Sequence, residues 1–426
     1  MPKGPGNSKY VKKINRMTVL NLIRQHEVIS RQELAKLTGL TPPAITAIIR
    51  ELLDIGLVKE VGLAKSRGGR RPVKLKFNPE AGYVIGIEVT RFETSIGIAD
   101  LKNDPADLNT VDIDMTDPEE GIPLLIGIIK RILEQGVKEG KNFLGIGVAF
   151  PGLLNVKEGI VKRSVNLSPK WKGYPVKEAI ERQLGLPVFV ENNSNASALA
   201  ERWFGGAVAY KDLVYINLGE GISAGIIMDD RILQGFQGHA GEIGHIVMVE
   251  DGPLCNCGNR GCLESICGIP ALLRKVNSEI PLIKDSDPLK EIWKIKGKVG
   301  TDDIIRCASE EGSYAYELLK QMAKYVGLAV AVVVNLYNPE AVFIGGKMSK
   351  VAELFMDLIK ETVYNHSFPE IARSTSIKVS SLGKNSAVIG ACALALRELF
   401  KSTDIMDYIQ INAFRRKQVG EEDISG

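Results

Sequence analysis

The chain has little cysteine, and what it has is not laid out as a disulfide framework. Of six cysteines in 426 residues, Cys267, Cys307 and Cys392 are scattered in apolar surroundings and the other three crowd into one short stretch. A secreted, disulfide-stapled scaffold is therefore excluded. Also lacking is any apolar run of the about 20 residues a bilayer requires. The opening MPKGPGNSKYVKK is basic but leads into no apolar segment with a small-residue cleavage site. No secretory signal is expected, and the protein is expected in the cytoplasm without a membrane partner. With 45% hydrophobic residues over this length, the chain can build roughly two to three domains around a substantial core.

The three crowded thiols carry the most specific signal. His245, Cys255, Cys257 and Cys262 form H-x9-C-x-C-x4-C, four metal-competent side chains within eighteen residues. Three thiolates and one imidazole leave no open position, the composition of a structural zinc site, one per chain, and not of a water-activating one. Gly258 and Gly261 let the backbone fold tightly around an ion. Chance clustering is the alternative, but free cysteine usually sits among apolar residues, and these stand among Asn, Gly and Arg.

Charge is unevenly placed behind a formal total of +3. Residues 1 to 76 hold 16 Lys and Arg against 5 Asp and Glu, whereas the remaining 350 hold 38 against 46. A basic head on an acidic body is the footprint of a module that neutralises phosphates, carried by a domain with another task.

Within the head, Ile14, Met17, Leu20 and Ile23 lie near helical spacing and predict a first helix over residues 13 to 26. Ser30 and Glu33 make an S-x-x-E capping box for a second helix, with Leu34 and Leu37 as its buried stripe and Gly39 at its end. Thr41 is expected to cap a third, with Pro42 at the first helical position, where a missing N–H costs nothing. Ile45, Ile48, Ile49 and Leu52 then turn inward, leaving Pro43, Ala44, Thr46, Ala47 and Arg50 outward. The short Thr38-Gly39-Leu40 turn matches a helix-turn-helix, whose second helix enters the major groove of duplex DNA. Up to this point an ordinary three-helix bundle fits equally well.

The next segment separates the two. Leu57 to Val61 and Val73 to Phe77 alternate as strands around a loop carrying Arg67, Arg70 and Arg71. A basic hairpin tip of this kind is a wing, able to lay arginines on phosphates or into a narrow minor groove. Residues 1–78 are thus expected to be a winged helix-turn-helix domain. Its candidate contacts with double-stranded DNA are Thr41, Pro42, Pro43, Ala44, Thr46 and Arg50 with the three wing arginines.

After Asn78-Pro79 the sequence turns to glycine-punctuated apolar runs at 83–89, 94–100, 144–150, 187–192 and 212–218. They alternate with helical stretches at 117–138, 175–184, 314–336 and 386–400, which predicts an α/β body. Two lobes with a cleft are expected: 79–195, completed by about 386–400, and 196–385, which holds the cysteine motif. A tail, 401–426, has no assignable role.

These segments also carry a resemblance. GHAGEIGH followed by CNCGNRGCLE, together with FPGLL at 150–154, ENNSNASALAE at 191–201 and IGG at 344–346, resembles the ROK family of repressors, open reading frames and sugar kinases. The winged head points to that family's transcriptional regulators, of the sugar-responsive xylose-repressor type. The resemblance implies an actin/hexokinase-like pair of ribonuclease-H-like lobes, often dimeric. It places Asn192, Glu242, His245 and Glu264 where the family hydrogen-bonds sugar hydroxyls, with Gly152 and Asn166 on the other lobe. Carboxylates and amides suit a polyhydroxylated ligand, although without the family Glu242 and Glu264 would read as solvated loop carboxylates. His245 would serve both sites, since zinc on one ring nitrogen fixes the tautomer of the other.

The same resemblance shows what phosphoryl transfer would lack. Where the family's kinases resemble D-x-G-G-T, this chain reads Glu88-Val89-Thr90-Arg91, and where they resemble G-T-G it reads Gly219-Glu220-Gly221, a carboxylate that repels a triphosphate. Where they carry E-N-D it reads Glu191-Asn192-Asn193, and an amide cannot replace the aspartate as general base, although Asn193 can still bind the same hydroxyl. No catalytic residue is assigned. The expected function is a sugar-responsive repressor, a homodimer on a pseudo-palindromic operator, released when a sugar fills a degenerate kinase-like cleft. An active sugar kinase with a fused DNA-binding head, and a regulator controlled by a protein partner, stay open as alternatives.

Overall fold

In the computed structural model the described residues are 8–63, 73–103, 105–401, 405–406 and 408–409. Arg67, Arg70 and Arg71 of the expected wing tip lie outside them. The head packs three helices, α1 (Ser8–Gln25), α2 (Arg31–Thr38) and α3 (Pro42–Asp54), on a small sheet. In that sheet β3 (Val73–Phe77) pairs antiparallel with both β1 (Ile29–Ser30) and β2 (Val58–Leu63), the pairing of a winged helix-turn-helix.

Local chemistry accounts for these elements. The capping box forms, with the Ser30 N–H donating to Glu33 Oε2 at 2.8 Å and the Glu33 N–H to Ser30 Oγ at 3.3 Å, so the chain passes directly from β1 into α2. Thr41 stands at the N-cap of α3 but makes no side-chain cap bond. Pro42 and Pro43 occupy the first two helical positions, and a proline at the second removes one of the two N–H groups such a cap serves. The α3 stripe of Ile45, Ile48, Ile49 and Leu52 is buried. Leu37, expected inside, is not, since it is 57% exposed, and Ile14 at the start of the α1 spacing is 42% exposed. Helix α2 has only eight residues and turns one face inward, which Leu34 fills, while Val19, Leu20 and Ile23 fill the α1 seam.

The body repeats one topology twice. Its first sheet has the order β6-β5-β4-β7-β10, built from β4 (Tyr83–Val89), β5 (Glu93–Asp100), β6 (Pro105–Asp112), β7 (Phe143–Phe150) and β10 (Val188–Asn192). Helix α4 (Pro118–Lys138) joins β6 to β7, and the hairpin β8 (Leu153–Asn155) with β9 (Ile160–Arg163), followed by α5 (Val176–Leu184), joins β7 to β10. Helix α6 (Asn193–Phe204) leads to a second sheet of order β13-β12-β11-β14-β15, from β11 (Leu213–Leu218), β12 (Ile222–Met228), β13 (Arg231–Ile232), β14 (Ala341–Gly345) and β15 (Ser376–Val379). Between β13 and β14 come α7 (Leu263–Cys267), α8 (Ile269–Glu279), α9 (Pro288–Lys296), α10 (Thr301–Cys307) and α11 (Tyr314–Tyr337). Helices α12 (Ser349–Leu354), α13 (Met356–His366) and α14 (Pro369–Ser374) precede β15. In each sheet three strands run antiparallel and two more join the first in parallel. This is the actin/hexokinase-like pair of ribonuclease-H-like lobes, and β7 and β14, covered on both faces, are buried throughout.

The last helix, α15 (Ser386–Lys401), returns to the first sheet. It lies so close that a Cβ on Gly147 would stand 1.8 Å from the Ala391 carbonyl oxygen, and one on Gly390 1.8 Å from that of Ala196. Beyond it Ile405, Met406 and Ile409 are buried in the same cluster as Leu20, Ile23 and Phe77 of the head, so the start of the tail has a packing role that the sequence did not suggest. No helix among the described residues is long and apolar enough to cross a membrane.

Candidate functional site

A cleft of about 210 Å³ opens where the ends of β4, β10, β11 and β14 meet the starts of α6 and α15. One water needs only about 10–15 Å³ of such space, and the carboxyl ends of strands are where open α/β sheets take ligands. All seven residues expected in a sugar pocket, Gly152, Asn166, Asn192, Asn193, Glu242, His245 and Glu264, line it.

Their geometry builds upward from α6. Asn192 caps that helix, its side chain accepting from the Ser194 N–H at 2.8 Å while its amide donates to the Gly152 carbonyl at 3.1 Å. Glu191 is fully buried and accepts from the Asn192 N–H, the Asn195 amide and the Gln234 amide at 2.9, 3.0 and 3.1 Å, which holds this turn in place. Asn193 donates to the Val89 carbonyl at 3.2 Å, and its Oδ1 is buried without a hydrogen-bond partner. Across the cleft Glu264 accepts from the Ile222 N–H at 3.0 Å, and Glu242 lies 3.8 Å from His245 Nε2. Burial pushes both carboxyls above their usual range, and the nearby His245 acts in the opposite direction.

The other face of His245 meets the cysteines. Its Nδ1 is 3.6 Å from Cys255 Sγ, Cys257 Sγ is 3.7 Å from Cys262 Sγ, and the four donor atoms lie within 4.8 Å of one another. Tetrahedral zinc with bonds of about 2.3 Å to sulfur sets its sulfurs about 3.8 Å apart. Donor set and spacing therefore fit a metal ion. Gly261 makes the turn possible, with φ +67° and only 1.6 Å between an added Cβ and the Val249 carbonyl oxygen.

Beside these residues, in the turns after β4 and β11 where a phosphate would sit, three backbone amides are already bonded. The turn after β4 closes on itself, the Thr90 N–H donating to the Glu93 carbonyl at 3.0 Å and the Glu93 N–H to Thr90 Oγ1 at 3.3 Å. The Gly219 N–H donates to the Gly221 carbonyl at 3.1 Å. Lys347, just past β14, lies between these turns, 2.8 Å from Glu93 of the first lobe and 3.7 Å from Glu220 of the second. Burial lifts the Glu88 carboxyl to about 7, with Lys347 opposing and Glu93 and Glu220 adding to the shift. Lys347 and Glu93 were not anticipated. The IGG motif ends one residue before the lysine, and a charged residue directly after two glycines was the available signal.

On the head, Thr41, Pro42, Pro43, Thr46 and Arg50 are exposed along one side of α3, and Ala44 is half-buried. Thr46 Oγ1 donates to the Pro42 carbonyl at 2.9 Å.

A winged helix-turn-helix in front of two ribonuclease-H-like lobes and a polar cleft defines the class, and comparison with known proteins names the family. The chain belongs to the ROK family, which residues 84–398 match, while residues 13–59 match a winged helix-turn-helix DNA-binding family. A xylose repressor of Caldicellulosiruptor bescii is 33% identical over 92% of this chain and 98% of its own length. The DNA-binding transcriptional repressor Mlc of Escherichia coli is 27% identical over 91% and 94%. A solved ROK family transcriptional regulator, described as a homolog of the E. coli Mlc protein, superposes with a TM-score of 0.79 at 30% identity, over 94% of this chain and 99% of its own. A ROK family glucokinase from Streptomyces griseus, in complex with glucose and AMPPNP, superposes at 0.63 with 26% identity, over 74% of this chain and 100% of its own.

Proposed function

We propose that this protein is a cytoplasmic, sugar-responsive transcriptional repressor that holds a pseudo-palindromic operator as a homodimer and leaves it when a sugar fills the cleft. The division of that one cleft carries the proposal. One set of its residues presents the carboxylates of Glu242 and Glu264 and the amides of Asn166, Asn192 and Asn193, while the turns beside them bond the Thr90, Glu93 and Gly219 amides internally and hold Lys347 between Glu93 and Glu220.

Two features support a sensor over an enzyme. Asn193 stands where the family's kinases carry an aspartate, and an amide cannot take a proton from an attacking hydroxyl. Glu220 would meet a nucleotide phosphate with like charge, worth about 4 kcal/mol at 4 Å in an effective dielectric of 20. The relatives named as xylose repressor and Mlc repressor support the same assignment.

His245, Cys255, Cys257 and Cys262 would hold a structural zinc, which on binding supplies a fixed charge that draws thiolates and imidazole into one unit. That unit holds Glu264, two residues past Cys262, and turns His245 Nε2 toward Glu242 and the cleft. On the DNA side, Thr41, Pro42, Pro43, Ala44, Thr46 and Arg50 would meet the major groove, and Arg67, Arg70 and Arg71 the backbone or minor groove.

The test is binding to DNA upstream of the protein's own gene, repeated with D-xylose, D-glucose and other mono- and disaccharides. Loss of binding with one sugar supports the proposal. Steady ADP release with ATP and a sugar overturns it in favour of a kinase, and no thermal shift and no release with any sugar favours control by a protein partner. Replacing both Arg70 and Arg71 with Ala is expected to weaken operator binding and reduce the salt slope by about 0.9 for each phosphate that is no longer neutralised. Unchanged affinity and slope would remove the wing from the interface.

A further inference from the structure

The cleft and the DNA-binding head touch opposite ends of the same helix. Gly383 and Lys384 just before α15, and Ser386 and Ala387 in its first turn, line the cleft. At the other end Leu396 and Leu399 are buried in one cluster with Leu20, Ile23, Leu57 and Phe77 of the head. Sixteen residues rising 1.5 Å each make a rod about 24 Å long. Between its ends the rod is packed tightly, the Ala391 carbonyl against Gly147 of the first lobe and Gly390 against the Ala196 carbonyl of α6, with no room for a side-chain carbon at either glycine.

One ring joins this rod to the head. The Phe400 centroid is 6.5 Å from that of Phe77, the last residue of β3, and the Arg24 guanidinium sits 4.3 Å from the Phe400 centroid, in the last turn of α1. A single side chain thus contacts both the sheet and the first helix of the head. Ile405, Met406 and Ile409 are buried in the same cluster.

We infer that Phe400 is a positioning residue that couples the cleft to DNA: it fixes the head on the first lobe, so that a change in lobe angle displaces the recognition helix as part of one rigid body. A turn of about 10° at the cleft end of a 24 Å rod moves its far end by about 4 Å. Two heads that must match half-sites about 34 Å apart cannot absorb such a shift while both stay seated in the groove. The trigger rests on the sugar-sensor function proposed above; the rigid mounting of the head does not.

The experiment compares full-length wild type, Phe400→Ala and Phe400→Leu. Each is measured on operators with a series of half-site spacings, with and without D-xylose and D-glucose, and each is checked by thermal melting. Wild type is expected to prefer one spacing. Phe400→Ala should bind an isolated half-site within about threefold of wild type, since no DNA-facing side chain is removed, while its preference among spacings and its sugar response both flatten by about fivefold. Phe400→Leu keeps apolar volume but loses the ring face, and decides the matter if the alanine variant does not fold. An unchanged spacing profile in the variants, or a wild type indifferent to spacing, overturns the positioning role. A wild type that prefers one spacing but ignores every sugar overturns the sensor function instead, and flattening in the variants then still supports Phe400.

Discussion

Among the cleft residues proposed to meet a sugar, Glu242 and Glu264 line the cavity with carboxylates, whereas in the turns beside them the Thr90, Glu93 and Gly219 amides are bonded internally and Lys347 is matched to Glu93. The two sets share a cavity and similar polar groups, yet the second has already used three of its backbone donors within its own turns. A binding site is made by groups the fold leaves unsatisfied, because a backbone N–H already bonded cannot cradle a phosphate without losing that bond. Under the function proposed above, that difference is how a kinase-like frame would keep ligand recognition without transfer chemistry.

The contrast can be broken most forcefully at the metal. Cys262→Ser is expected to take zinc from one per chain to near none by elemental analysis, lower the melting temperature and abolish the sugar response, since Glu264 is two residues away. Unchanged metal content would remove Cys262 from the ligand set. Next in size, Glu264→Ala strips the acceptor from the Ile222 N–H and a carboxylate from the proposed sugar site. A loss of at least about 1.4 kcal/mol, or tenfold in sugar affinity, is expected by titration calorimetry; an unaltered Kd would move the ligand elsewhere.

The neighbouring turns should respond more mildly. Burial holds the Glu88 carboxyl up at about 7, so between the ordinary carboxylate value and that pH the native state binds more protons than the unfolded chain. Stability therefore falls as pH rises through the window. Glu88→Gln should remove that slope and stabilise the protein at pH 8 by on the order of 1 kcal/mol, after allowance for solvent screening, with the gain shrinking toward pH 5. Equal denaturation midpoints at both pH values would show that Glu88 is not held in its neutral form. Lys347→Ala breaks a half-exposed pair and should cost less than about 1 kcal/mol, fading in high salt. A larger, salt-independent loss would mean the lysine does more than match charge. The smallest effect sharpens the comparison furthest: Asn193→Asp restores a carboxylate at the base position and should still release no ADP with ATP and sugar. Turnover in this variant would show that the cleft remains competent for phosphoryl transfer.

Much of this was legible in the chain because local patterns report local structure. The capping box at Ser30 and Glu33, the α3 stripe and the alternating β3 run all stand where their periodicity put them, and the body strands follow the glycine-punctuated runs. The four soft donors were found from spacing alone, and the seven cleft residues through resemblance to a family. Leu37 misled because an eight-residue helix turns inward only one face, and Thr41 because Pro43 withdrew a donor.

The sequence by itself determined the elements, the metal-competent motif and the charge split between head and body, since each depends on residues near one another along the chain. Only the tertiary structure decided that Lys347 reaches Glu93 across 254 positions, that Asn193 is left with an unpaired oxygen, and that α15 begins in the cleft and ends beneath the head. Those facts follow from how two lobes pack, and packing brings together atoms whose separation along the chain carries no local pattern.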